Sequence, residues 1–293
     1  MTCVHVKYLR VGQCRHLECI AARGGKVSMI DFPSFCGLIR HPVEGWILFD
    51  TGYADHFFEA TRSFPEKLYR LALPIKLDDE EKLLAQLAQM GINPEDIRWI
   101  IVSHYHGDHI AGLRDFPNAK FVASKKDTDD LQSLMTKPFR ATTQGKLPGL
   151  LPDDYFQKLI YADNLPRIVL PQWMQPFTQA FDLFGDQSLL IIPLPGHSDG
   201  QIGLLMIDAD GRPVFLTADA CWSLPACREG RLPSFLAGFA TANNQDYKQT
   251  FFQLSELARR ETAISILPSH CIPSWSVFTK TSDNNIDNSE HHE

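Results

Sequence analysis

Short apolar runs, each closed by turn residues or by a polar loop, recur along the chain and predict buried strands. They lie at 46–49, 99–102 and 120–123 in the first half, and at 189–192, 202–207, 214–216 and 264–267 in the second. The first 50 residues predict shorter strands and turns, with one turn at Asp31-Phe32-Pro33. Strands therefore dominate both halves of the chain.

Two segments carry the 3.6-residue spacing of an amphipathic helix. Residues 78–90 begin with four acidic residues, where the helix dipole favours negative charge, and Gly91 follows as a stop. Residues 247–260 also place their apolar side chains on one face. Many strands with few strong helices predict an α/β fold of two packed sheets flanked by helices, although the pattern alone leaves other α/β arrangements open.

The segment 128–176 interrupts this pattern with prolines and scattered aromatic residues. We interpret it as an elaboration of a single domain that spans residues 1–280. It is predicted to be a lid over a pocket, a dimer contact or a satellite of the core. Residues 281–293 are polar and predict a disordered tail.

Composition and charge narrow the class of protein. The chain has 293 residues, of which 44% are hydrophobic and 22% charged, and this excludes a fibrous or disordered protein. No apolar run is long enough to cross a membrane, and the first residues are too polar for a secretory signal. The net charge is −7 and the chain has no run of basic residues, which argues against nucleic-acid binding. The seven cysteines form no Cys-x-x-Cys pair. We therefore expect a reduced, cytoplasmic protein with no nucleic-acid or membrane partner, and a homodimer is compatible with this view.

Candidate metal-binding chemistry is concentrated where predicted strands end. Directly after the run at 99–102, four ligand-type residues fall within six positions: His104, His106, Asp108 and His109. Three further candidates each follow a later strand: His197, Asp219 and His270. Neutral imidazole and carboxylate are ligands that zinc and similar divalent metals prefer, so this set predicts a metal site.

These motifs and their order resemble the metallo-β-lactamase superfamily. The matching segments are Phe49-Asp50-Thr51-Gly52, the His-x-His-x-Asp-His block at 104–109, Gly196-His197-Ser198, Thr217-Ala218-Asp219-Ala220 and Ser269-His270. The resemblance implies a four-layer αβ/βα sandwich of two mixed β-sheets flanked by helices. It also implies two divalent metal ions, with zinc as the first expectation and iron, manganese or cobalt as alternatives.

The resemblance further implies a role for each of these residues. One ion would be bound by His104, His106 and His197, the other by Asp108, His109 and His270, and Asp219 would bridge both. A hydroxide between the ions would attack an ester-like carbonyl, with Asp108 carrying a proton to the leaving group. Asp50 would accept a hydrogen bond from a ligand imidazole. The common β-lactamases have Cys where this chain has Asp219, which argues against β-lactamase activity.

Within the superfamily, the sequence is most similar to the quorum-quenching N-acyl homoserine lactonases, in its length and in the segment 91–97 before the metal block. This similarity implies a small-molecule lactone or related ester as the substrate. One position departs from the pattern, because these lactonases often carry Tyr three residues after the bridging Asp and this chain has Trp222. Indole has no ionisable hydroxyl, so Trp222 either changes the contact with the substrate carbonyl or lines an acyl pocket.

Two alternatives stay open at this point. A glyoxalase II-like thioesterase, or another esterase, would use the same metal block, but such thioesterases generally add a basic C-terminal region and this chain ends in an acidic one. A non-enzymatic ligand-sensing or binding protein on the same fold is the second alternative. It is disfavoured because all seven ligand positions carry ligand-type residues.

Overall fold

Two sheets, one of seven strands and one of six, organise the computed structural model, which describes residues 2–21, 25–234 and 242–289. The strands of the first sheet are β1 His5–Leu17, β2 Met29–His41, β3 Gly45–Phe49, β4 Ile75–Lys76, β5 Ile97–Ile101, β6 Lys120–Ala123 and β7 Leu159–Tyr161. Those of the second sheet are β8 Arg167–Val169, β9 Gln179–Asp182, β10 Leu189–Pro193, β11 Ile202–Ile207, β12 Pro213–Ala218 and β13 Ser265–Pro268.

Both sheets mix parallel and antiparallel pairs. The first has the order β4-β1-β2-β3-β5-β6-β7, with antiparallel pairing from β4 to β3 and parallel pairing from β3 to β7. The second has the order β13-β12-β11-β10-β9-β8 and is antiparallel except for the parallel pair of β12 and β13. Parallel neighbours need crossover connections, and these supply helices to the outer faces.

The helices within the described residues vary from one turn to five. They are α1 Glu18–Ala21, α2 Asp55–Ala60, α3 Lys67–Ala72, α4 Leu83–Gln89, α5 Gly107–Ile110, α6 Lys125–Leu134, α7 Pro138–Thr143, α8 Tyr155–Lys158, α9 Leu224–Arg228, α10 Asn244–Arg260 and α11 Ile272–Ser289. Each of them is too short or too polar to span a bilayer.

Three apolar clusters separate four layers. The central cluster lies between the sheets and joins side chains such as Phe35 and Ile47 of the first sheet to Ile191 and Leu216 of the second. A second cluster packs the first sheet against the early helices, and a third packs the second sheet against α9 and α10. The order helix, sheet, sheet, helix confirms the predicted αβ/βα sandwich.

The predicted helix at 78–90 is wrong at its beginning. Residues Asp79–Glu81 form a 3₁₀ turn, Lys82 is extended with ψ 133°, and the α-helix begins only at Leu83. The acidic side chains are used outside the helix, since Glu81 pairs with Arg10 and Asp79 with Lys82. The end of the helix agrees with the prediction, because Gly91 has the left-handed φ of 69° that favours glycine after a helix.

The first 50 residues form longer strands than their pattern predicts. β1 and β2 are a thirteen-residue antiparallel pair, and the predicted turn at Asp31-Phe32-Pro33 lies inside β2. The register shifts between Arg10 and Gln13, which breaks the alternation of β1 and hides its length. The segment 128–176 contributes α7, α8 and the edge strands β7 and β8, so it takes part in both sheets. Helix α11 continues to Ser289, into the predicted tail, whose last four residues lie outside the described ones.

The topology gathers the ends of five strands at one edge of the sandwich. Strands β3 and β5 are parallel neighbours in the first sheet. In the second sheet β10, β12 and β13 run in one direction, because β11 is antiparallel to both β10 and β12. Loops that follow these five strands therefore face one another, and they carry all the candidate ligands.

Candidate metal centre

The seven candidate ligands come together at this edge in three overlapping groups. His104, His106 and His197, here called the first triad, place one ligand atom each within 4.8 Å of the others. Asp108, His109 and His270, here called the second triad, do the same. His104 and His109 form the third group together with Asp219. Residues as far apart in the sequence as Asp108 and His270 are thus neighbours in the fold.

The first triad is a cluster of imidazoles from two loops. His197 Nε2 lies 3.0 Å from His106 Nδ1, and the ring centroids of His104 and His106 are 4.6 Å apart. The second triad is more open in its distances, with Asp108 Oδ2 3.7 Å from His109 Nε2 and 3.5 Å from His270 Nε2. Both spacings leave room for a cation between the ligand atoms.

Asp219 lies between the two triads and reaches both. Its Oδ2 is 3.1 Å from His197 Nε2 in the first triad and 3.2 Å from His270 Nε2 in the second. Its Oδ1 is 3.4 Å from His109 Nε2. The preceding Ala218 has a φ of 47°, a left-handed backbone that aims the carboxylate into the centre.

Three polar atoms at the centre are buried and have no hydrogen-bond partner among the described residues: His104 Nε2, His109 Nε2 and Asp219 Oδ1. Buried polar atoms are almost always satisfied, so unpaired ones that converge on a single point need an explanation. Imidazole nitrogens and a carboxylate oxygen are the donor set of zinc and similar divalent ions. The residues present therefore fit a metal centre.

The supporting hydrogen bonds fix the tautomers of three histidines. His109 Nδ1 donates to Asp50 Oδ2 at 2.8 Å, and His270 Nδ1 donates to the Pro33 carbonyl at 2.6 Å. The Ser103 hydroxyl donates to Asp50 Oδ2 at 2.7 Å and so accepts from His104 Nδ1 at 2.9 Å. In each case Nδ1 carries a proton, so Nε2 faces the centre and is the nitrogen that could bind a metal.

Charge and burial act differently on the two triads. Burial and the neighbouring imidazoles hold the pKa of His104 and of His106 well below the ordinary histidine value. Burial also acts to lower the pKa of His109, but the carboxylates of Asp108, Asp50 and Asp219 raise it well above that value. Burial opposes the pKa shift of Asp219, yet the surrounding histidines hold its pKa well below the usual range. The centre therefore keeps its carboxylate ionised.

A small cleft opens onto this centre. Its walls outside the ligands are partly aromatic and come from β1, β2, the loop after β3, α3 with the residue that follows it, and the loop after β12: Cys14, His16, Phe32, Tyr53, Tyr69, Leu73 and Trp222. Trp222 Nε1 donates to Asp219 Oδ2 at 3.0 Å, so its one donor is already used. None of the lining residues lies in the segment 128–176.

Sequence reasoning missed most of these walls. Phe32, which stacks on His270 at 4.2 Å and meets Trp222 edge-on at 5.6 Å, falls in what reads as a turn. His16 and Tyr69 belong to no motif. The sequence gives a weak indication of the role of Ser103, because a hydroxyl directly before the ligand block is well placed to orient an imidazole. The buried Cys221 and Cys271, next to the site in sequence, do not line the cleft.

Comparisons with known proteins agree with this geometry. A model of the metallo-beta-lactamase superfamily matches residues 29–270. The N-acyl homoserine lactonase AttM of Rhizobium johnstonii (strain DSM 114642 / LMG 32736 / 3841) is 27% identical over 243 residues, which are 83% of this chain and 83% of that protein.

Two solved structures share the fold at 19% identity. One is an N-acyl homoserine lactone hydrolase with the product N-hexanoyl-L-homoserine bound at its catalytic metal centre, with a TM-score of 0.71 over 94% of this chain and 97% of the other. The other is AidC, a dizinc quorum-quenching lactonase, with a TM-score of 0.61 over 92% of this chain and 88% of the other.

Proposed function

The chain belongs to the metallo-β-lactamase superfamily, and on that premise we propose that it is a two-metal hydrolase that opens lactone rings, with N-acyl homoserine lactones as the first substrates. One observation carries the proposal: Asp219 lies within 3.5 Å of ligand nitrogens from both triads. A carboxylate shared in this way is suited to hold two cations side by side. The relatives named as lactonases support the choice of substrate.

The ligands divide as the resemblance implies. The first triad would hold one ion, the second triad the other, and Asp219 would bridge them. Two divalent cations bound there would activate a water molecule and polarise the substrate carbonyl. We propose zinc, which suits imidazole and carboxylate ligands, and the dizinc relative supports this choice. Iron, manganese and cobalt accept the same ligands and are the alternatives.

Asp108 is the residue best placed to move a proton. Its carboxylate lies in the second triad and also lines the cleft, so it would lie beside both a metal-bound water and a lactone seated in the cleft. In ring opening, a bond forms from the water oxygen to the carbonyl carbon and the ring ester C–O bond breaks. Asp108 would take the proton from the water and deliver it to the alkoxide, giving the open hydroxy acid.

The walls of the cleft favour an apolar acyl group. Phe32, Tyr69, Leu73 and Trp222 present ring and methyl surface beside the ligands. None of the described lining residues is a lysine or an arginine, although a phosphodiester or an anionic glutathione thioester would be better held by one. Because the Trp222 N–H is committed to Asp219, we propose that Trp222 acts as a wall and holds the bridging carboxylate in place.

The proposal is tested by a hydrolysis panel on the zinc-loaded protein. The panel contains acyl homoserine lactones of several chain lengths, simple γ- and δ-lactones, a glutathione thioester and a phosphodiester. We expect turnover of lactones that disappears in His106→Ala. The matched control is His5→Ala, an exposed histidine on β1 outside the centre, which should keep wild-type turnover.

Other results would contradict the proposal in distinct ways. Turnover of the thioester in place of the lactones would support the glyoxalase-like alternative. Two bound zinc ions with no turnover of any compound would favour a ligand-binding role. Lactone turnover that persists in His106→Ala would show that the reaction does not use this centre.

A further inference from the structure

A buried ion pair lies behind the first triad, outside the seven candidate ligands. Lys146 Nζ is 3.1 Å from Asp127 Oδ1 and 2.6 Å from Asp130 Oδ2. Lys146 is 4% exposed and Asp127 only 1%. Burial lowers the pKa of Lys146, but the two carboxylates raise it above the ordinary value, so the ammonium stays charged. Charges are removed from water at a cost, and a pair at this depth therefore needs a reason.

Asp127 connects the ion pair to the loop that carries His197. The Ser198 hydroxyl donates to Asp127 Oδ1, the same oxygen that contacts Lys146, and Ser198 directly follows His197. Asp127 Oδ2 is buried without a hydrogen-bond partner among the described residues, so Oδ1 makes the polar contacts. The orientation of Ser198 thus depends on a carboxylate whose charge Lys146 balances.

The packing of this loop is equally close. A Cβ atom on Gly200 would lie 2.1 Å from Ser124 Oγ and 2.5 Å from the backbone nitrogen of Asp127. Gly200 therefore rests directly on the first turn of α6, and glycine is required for the approach. The same turn of α6 thus contacts both Ser198 and Gly200.

The loop that carries His104 and His106, the other two ligands of the first triad, also contacts α6 and Lys146. Tyr105, which lies between His104 and His106, shares a 2.8 Å hydrogen bond with the hydroxyl of Thr128, the residue after Asp127 in α6. Lys146 forms a β-bridge with His106, and the Gly107 nitrogen donates to the Gly145 carbonyl at 3.2 Å. The first turn of α6 and the segment at 145–146 thus touch every loop that supplies the first triad.

We propose that Asp127, Lys146 and Ser198 are positioning residues that set the metal affinity of the first triad and leave that of the second unchanged. The inference rests on the proposed two-metal centre. The second triad is held directly by Asp50 and the Pro33 carbonyl, and Asp50 reaches the first triad only through Ser103. None of the three proposed positioning residues is hydrogen-bonded to Asp50 or Pro33 in the described structure. Partners of metal-binding histidines typically change metal affinity by about 10- to 100-fold when they are lost.

The test titrates zinc into metal-free protein in competition with a chromophoric chelator, and repeats the titration with cobalt(II) to record its absorption spectrum. His197→Ala and His270→Ala identify the binding stage of each triad. In Ser198→Ala we expect the stage of the first triad to weaken by about 10- to 100-fold and its cobalt band to change, with the other stage intact.

A second variant separates positioning from folding. Lys146→Met alone strands a buried carboxylate, whereas the double variant Asp127→Asn/Lys146→Met removes both charges and keeps the volume. We expect the double variant to melt near the wild-type temperature and still bind zinc weakly at the first triad. The control is Arg212→Met, which breaks the Asp208–Arg212 pair at the opposite end of β12 and should leave both stages unchanged.

Two results would overturn the inference. Both stages at wild-type affinity in Ser198→Ala and in the double variant would mean that the network only stabilises the fold. Equal weakening of both stages, in step with a lower melting temperature, would mean the same. A wild-type chain that takes up no zinc contradicts the metal centre itself, and this outcome is seen before any variant is compared.

Discussion

The two triads hold their histidines by different means. In the second triad a full carboxylate, Asp50, accepts from His109, and a backbone carbonyl accepts from His270. In the first triad His104 donates to the neutral hydroxyl of Ser103, and His197 Nδ1 is buried with no partner among the described residues. The Asp50 carboxylate thus contacts a ligand of the second triad directly and reaches the first triad only through Ser103.

The two triads also differ in the pKa of their histidines. Burial and neighbouring imidazoles lower the pKa of His104 and His106, while carboxylates outweigh burial and raise the pKa of His109 and His270. The first triad therefore offers uncharged rings, whereas the second has negative charge that attracts a cation directly. Where charge contributes less to metal binding, the position of the backbone that carries the ligands should contribute more. The close packing of the loop that carries His197 fits this expectation.

Removing the Asp219 carboxylate should weaken metal binding at both triads alike. We expect Asp219→Ala to lose metal from both and to lower lactone turnover by at least about 10²- to 10³-fold, the range seen when one preorganised charge-stabilising group is lost. Zinc content by elemental analysis, together with turnover, measures this. Asp219→Asn keeps the shape and the acceptor for Trp222, so it isolates the charge. Full zinc occupancy in Asp219→Ala would contradict the bridging assignment.

Asp50→Asn should act mainly on the second triad. The amide cannot supply the negative charge that His109 contacts at 2.8 Å, so we expect zinc affinity there to fall by about 10- to 100-fold. The matched variant is Ser103→Ala, which removes the hydroxyl beside His104 and should weaken the first triad by less. Chelator competition on both variants gives the comparison. Equal losses at both triads would show that Asp50 and Ser103 act as one unit.

Gly196→Ala tests the dependence of the first triad on packing. Gly196 has a φ of 131°, and a Cβ there would lie 2.1 Å from the Tyr247 nitrogen at the start of α10. We expect a loss of roughly 1–3 kcal/mol in the free energy of unfolding, together with weaker zinc binding by the His197 loop. Gly185→Ala is the control, since Gly185 also has a positive φ but nothing within 4 Å. Similar denaturation curves for the two variants would exclude the contact with α10 as the cause.

The sequence predicts most of the sandwich because apolar runs mark the strands. It predicts the ligands because they directly follow strand ends. Apolar runs locate β3, β5, β6 and β10 to within two residues, and the segments after β5 and β10 carry His104, His106, His109 and His197. What fails is local: the acidic run before Leu83 satisfies the pattern of a helix start, yet its side chains find partners elsewhere. The hairpin of β1 and β2 is hidden by its register shift.

The support of the centre is harder to predict than the ligands. Asp127, Lys146 and Ser198 are separated by up to 71 positions, and a lysine or aspartate in a polar segment reads as solvated surface. Only their burial in the fold makes them exceptional. The aromatic walls have the same difficulty, because Phe32 and Tyr69 reach the cleft through tertiary packing and not through a motif.

The smallest effect on zinc affinity is expected at Trp222, whose indole donates to Asp219, the carboxylate that contacts both triads. Trp222→Phe keeps an apolar wall but removes the N–H that donates to Asp219 Oδ2. A hydrogen bond contributes about 0.5–1.5 kcal/mol, so zinc should be held roughly two- to tenfold less tightly. Because Asp219 contacts both triads, the two stages of a zinc titration should weaken together, unlike the one-sided losses expected for Asp50→Asn and Ser198→Ala.

Trp222→Tyr introduces the tyrosine hydroxyl that the similar lactonases often carry at this residue. It should raise lactone turnover if the missing hydroxyl limits the reaction. Unchanged zinc affinity in Trp222→Phe, with unchanged turnover in Trp222→Tyr, would reduce this residue to a wall of the cleft.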